Sequence, residues 1–97
     1  MLSRFKRWVD HRRDIRRQWQ HDARALLSQD ERGAYYAAQR LAARSRATGD
    51  SGAFLHWTKV AAEVARLSSM AEMDLATVQA VVDGELDAAR PGQSTPP

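Results

Sequence analysis

No glycine or proline stands between Leu2 and Leu27, and across that stretch Leu2, Phe5, Trp8, Val9, Ile15, Trp19, Ala23, Leu26 and Leu27 recur mainly at steps of three and four. An α-helix turns once every 3.6 residues, so this spacing gathers them on one face. Over a quarter of a 97-residue chain is thereby committed to one long helix. The rest must supply a partner for that face within the length of one domain, and nothing in it reads as a strand. The fold class expected is all-α: a small antiparallel helical hairpin or bundle of three to four helices with a long basic amphipathic N-terminal helix.

That long face is not clean. On a helical wheel Arg12 and Arg16 project into the sector of Phe5 and Trp19. Arginine stems lie along apolar surface while the guanidinium reaches water or an anion, so the helix survives them, but such a face is not sealed in a dry core. The sequence leaves open whether the first helix folds back on the rest or projects from it.

Ser28 and Glu31 have the spacing of a capping box, with Asp30 as a further carboxylate in the same turn, which predicts the start of a second helix. Its stripe is Tyr35, Ala38, Leu41 and Ala42, with Gly33 in its first turn, Arg44 and Arg46 near its end and Gly49 to stop it. A compact turn over 48–52 follows, in which Asp50 or Ser51 caps a third helix with the stripe Phe54, Trp57, Val60, Ala61, Val64 and Leu67. So short a connection predicts an antiparallel hairpin. Residues 68–74 read as a joint, with Ser69–Glu72 as a second capping box or Asp74 as a cap. A helix continuous with the third is the alternative. Leu75, Val78, Val82 and Leu86 carry the pattern on to about Ala89, and Gly84 is placed to end it early. The expected division is 1–28 as the basic helix, 29–90 as hairpin plus C-terminal helix of the same domain, and 91–97 as a disordered tail.

Apolar residues make up 43% of the chain, enough for a folded core, but they lean on alanine, so the core should be thin and built from closely approaching helices. A net charge of +3 conceals an uneven distribution: residues 1–48 hold twelve basic and five acidic side chains, residues 49–97 three and seven. The imbalance is met either internally, by the acidic half packing near the basic half, or by an anionic partner.

Several function classes drop out. Absence of cysteine removes disulfides, thiolate metal sites and thiol nucleophiles, and fits a reducing cytoplasm, the expected location, with attachment at a membrane periphery left open. No apolar run reaches the roughly 18 residues that span a bilayer. Arg4, Lys6 and Arg7 precede no continuous apolar stretch of the secretory kind, and Asp10 and Asp14 spoil an organellar presequence. His11, His21 and His56 do not pair at ligand spacing, the serines fall mainly at helix ends, and Gly49 and Gly52 follow no strand. No enzyme, cofactor, metal or small-molecule substrate is expected.

The first helix carries the remaining signal, with eight basic and three acidic side chains in residues 1–24 interleaved with aromatics. Phe5, Trp8, Arg12, Arg16 and Trp19 are the interaction candidates, and Arg4, Lys6, Arg7, Arg13 and Arg17 the anion-binding candidates. Tryptophan and arginine dominate protein interfaces, which favours a non-enzymatic helical interaction module binding another protein or itself, as a homo-oligomer. The alternatives are peripheral binding to an anionic membrane surface and non-specific nucleic-acid binding by the same helix. Helices two and three do not make a DNA-reading pair, because the second of them places Phe54, Trp57, Val60 and Val64 in its stripe and carries only Lys59 and Arg66 as cations.

Overall fold

The computed structural model describes residues 2–90, with the side chains of Leu2, Ser3 and Phe5 excepted. Within them the chain forms four helices and no strand: α1 (Leu2–Gln29), α2 (Ala34–Ala47), α3 (Ser51–Leu67) and α4 (Leu75–Ala88). The tail expected at 91–97 lies outside the described residues. α2 is the middle of the bundle. It packs on α3, on α4 and on the end of α1, while α1 also lies on α3 and α4 touches α2 alone.

Alanine makes that arrangement work. Ala23, Ala34, Ala38, Val60, Ala61, Val64 and Ala71 form the buried cluster, and Val60 and Val64 are its largest fully buried side chains. Small side chains let helix axes approach closely, and each contributes little apolar area. Larger groups close the edges: Trp19, Leu26 and Leu27 from α1, Tyr35 from α2, Trp57 and Leu67 from α3. The core is thin, as alanine content implies.

Helix ends follow local chemistry at three places. α2 stops in a Schellman turn, with Asp50 N–H donating to Ser45 O at 2.9 Å and Gly49 N–H to Arg46 O at 3.1 Å. That turn puts Gly49 at φ +77°, a region that penalises any Cβ. Asp50 caps α3 by accepting from Ala53 N–H at 3.0 Å, and Asp74 caps α4 by accepting from Thr77 N–H at 2.9 Å and Thr77 Oγ1 at 2.8 Å. Hydrogen bonds from the Thr77 side chain and backbone hold the Asp74 carboxyl below its ordinary value.

Neither expected capping box forms. α1 runs on through Ser28 to Gln29, because Leu26 and Leu27 hold its last turns against the core, and Ser28 Oγ donates back to Ala25 O at 2.8 Å. Asp30 accepts from Gly33 N–H, so Gly33 is the N-cap of α2 and not part of its first turn. Glu31 turns to the far end of α3 and accepts from Ser68 Oγ at 2.8 Å. Likewise Glu72 does not cap with Ser69; its backbone N–H donates to Arg32 O at 2.9 Å, which pins the joint 68–74 and separates α3 from α4. Gly84 lies inside α4 without ending it, and unlike Gly49 it does not take the positive φ of a helix stop. Leu75 is 83% exposed and does not share the stripe with the half-buried Val78, Val82 and Leu86, because α4 has only α2 to pack on. Phe54, expected in the α3 stripe, is instead 39% exposed in the first turn of α3.

The molecule is long for its size. Its radius of gyration is 16.3 Å, against about 12.5 Å for a compact chain of this length, and its extents are 64 × 32 × 20 Å. α1 accounts for this: a helix of 28 residues measures about 42 Å, far longer than the face it packs on.

Candidate docking surface

α1 is docked along one half and free along the other. From Trp19 onward its inner face is covered. Ala23 is fully buried, Lys59 of α3 places its ammonium over the Trp19 ring at 5.7 Å, and Asp22 meets His56 Nε2 of α3 at 2.7 Å. The imidazole also stands edge-on to Trp57, at 4.9 Å between centroids. Before Arg16 the surroundings change. Every described side chain from Arg4 to Asp14 is exposed except the half-buried Val9.

The sequence candidates fall unevenly on these halves. Trp8 is 55% exposed with Arg12 stacked over its ring at 5.0 Å, and Trp8, Val9, Arg12, Arg13 and Arg16 line a shallow groove of about 200 Å³ on α1 alone. Trp19 instead packs against the core cluster and fixes the helix in place. The Phe5 side chain lies outside the described residues. Arg17 pairs with Asp14 at 3.4 Å within the helix, an exposed contact of little energetic weight. Arg4, Lys6, Arg7, Arg13 and Arg16 have no acidic partner among the described residues.

Elsewhere the carboxylates are taken up. Glu85 receives Arg44 at 3.1 Å and Arg40 at 4.0 Å, Glu72 receives Arg32 at 3.7 Å, Glu63 holds Arg66 at 2.8 Å and Asp87 holds Arg90 at 3.1 Å. The hydrogen bond and then the charge of Glu85 raise the Arg44 pKa further. Asp83 accepts from Gln79 at 2.8 Å, Asp50 and Asp74 cap helices, Asp30 and Glu31 close the turn after α1, and Asp22 meets His56. From Asp22 to Asp87, then, each carboxylate has a partner within the fold. The acidic half of the chain offsets Arg40 and Arg44 of α2 and leaves the arginines of the α1 arm unmet.

Two features of this surface escape a linear reading. The Asp22–His56 link joins positions 34 apart in sequence, and Lys59 and Arg66 come to stand beside Arg16, lining one groove with it, only because α1 lies on α3. No group of three or more metal-ligating side chains gathers among the described residues, and no described helix is long and apolar enough to cross a membrane. Compared with family models, with curated proteins and with solved structures, the chain matches none.

Proposed function

We propose that this protein is a non-enzymatic docking module in which α2 and α3 form an antiparallel hairpin, α1 is fastened to it by its C-terminal half, and the basic N-terminal half of α1 engages another protein. The observation that carries this is the contrast in charge: the carboxylates from Asp22 to Asp87 are partnered within the fold, while six cations of the arm, Arg4, Lys6, Arg7, Arg12, Arg13 and Arg16, stand exposed without an acidic partner among the described residues, beside a half-exposed tryptophan. Arginine and tryptophan displayed together on a rigid element are what an interface anchor requires. The decisive comparison is affinity capture from the native cell with wild type and with the Trp8→Ala/Arg12→Ala variant, folding being checked by circular dichroism. Partners held by wild type and lost by the variant support the arm; an identical set of captured proteins overturns it.

One observation favours a second reading. Asp10 lies opposite Trp8 on the helix and Asp14 towards the same back, so the arm's acids face away from its aromatic side, as on helices that lie on anionic membranes. Flotation with vesicles rich in phosphatidylglycerol distinguishes this. Steeply salt-dependent retardation of DNA or RNA would instead mark the nucleic-acid alternative.

A further inference from the structure

Arg16 belongs to two grooves. On the arm it closes the shallow one that holds Trp8 and Arg12; on the body it opens one of about 520 Å³, walled by Lys59, Ala62, Glu63 and Arg66 of α3 with the Trp19 indole between. Three cations and one carboxylate line this second space. The carboxylate is already held by Arg66, through Nε at 3.0 Å and Nη2 at 2.8 Å. Arg16 and Lys59 therefore border one groove with no acidic partner among the described residues, and its lining carries an excess of positive charge that an anionic group would offset.

We infer that the docking surface turns the corner at Arg16 and continues along α3, and that its occupant is an acidic amphipathic segment of a partner protein, with carboxylates against Arg12, Arg16 and Lys59 and apolar side chains against Trp8 and Trp19. This deepens the docking function and rests on it. Three points select the occupant. The cations are spread over two helices with the Arg66-held Glu63 among them, an intermittent pattern that a polypeptide with spaced carboxylates matches better than a phosphate polymer charged at every unit. The indole and Ala62 in the groove call for apolar side chains, and the groove lies between two helices, where a flat bilayer surface does not reach. A second copy of the chain is a poorer occupant, because it carries the same net charge of +3 and Glu85, in the acidic helix α4, is already taken up by Arg44 and Arg40.

The test titrates the full chain with a labelled peptide of about 15 residues, leucine at helical spacing and glutamate elsewhere. Arg16→Ala and Lys59→Gln should each weaken its binding about five- to tenfold, and the glutamine version of the peptide should not bind. Arg46→Ala, which removes a cation near the end of α2 that lines neither groove, should change it less than about twofold. All three side chains are exposed, so the variants keep the fold. If Trp8→Ala and Arg12→Ala abolish binding but Lys59→Gln and Arg16→Ala do not, the surface ends on the arm: the extension falls and the docking function stands. Wild type that ignores the peptide but retards single-stranded DNA, or floats with phosphatidylglycerol vesicles, overturns the protein partner in both. Silence towards all three probes sinks both as well.

Discussion

The two halves of α1 share one backbone, one apolar spacing and one tryptophan each, yet they meet different surroundings. In the docked half the position facing α2 and α3 is Ala23, small enough to bring the helix against Val60 and Val64, with Trp19 and Leu26 closing around it. In the free half the corresponding positions are Arg12 and Arg16, whose guanidinium groups lose too much hydration to enter an alanine-lined contact. Periodicity decides that a helix forms; the size and charge at the centre of its stripe decide whether it is buried.

The contrast breaks most visibly at Ala23. Ala23→Arg should cost about 3 kcal/mol or more, from overpacking and a buried unpaired charge, read as a lower midpoint in urea unfolding. An unchanged midpoint would mean that the docked half does not dock through this residue. The tryptophans sharpen it next: Trp19→Ala should destabilise by roughly 2 kcal/mol, as fits an edge residue only partly withdrawn from water, whereas Trp8→Ala should stay within about 0.5 kcal/mol. Equal effects on thermal unfolding would erase the distinction between the halves. Smaller again is the tie between Asp22 and His56, whose double-mutant cycle with alanine should return a coupling of about 1 kcal/mol. A coupling near zero would reduce that 2.7 Å contact to a solvated encounter. Least of all, Arg12→Ala should move stability by no more than about 0.5 kcal/mol while shifting the fluorescence of Trp8, which loses the cation stacked on it.

Much of the helical plan was legible from residue spacing, because apolar side chains every three or four positions have few other ways to meet. The sites that misled were those where a local signature competed with packing. Ser28 and Glu31 have the chemistry of a helix start, but Leu26 and Leu27 keep the preceding helix going past Ser28. Leu75 fits the pattern of α4 and still faces water, since burial needs a second surface and α4 finds only α2. On the candidate surface, Trp8 and its arginines could be named in advance from their interleaving. Lys59 and Arg66 could not, because their nearness to Arg16 is a property of how α1 lies on α3, which no window of sequence contains.

An uninterrupted helix from the arm into the core also has a mechanical consequence. The contact at Ala23 is a fulcrum and the arm a stiff lever, about 22 Å long as far as Trp8, with no glycine or proline to act as a hinge. A tilt of about 10° at the fulcrum sweeps the tip through roughly 4 Å, so a partner gripping the tip would fix the bearing of the whole bundle and transmit load directly to the alanines beneath it.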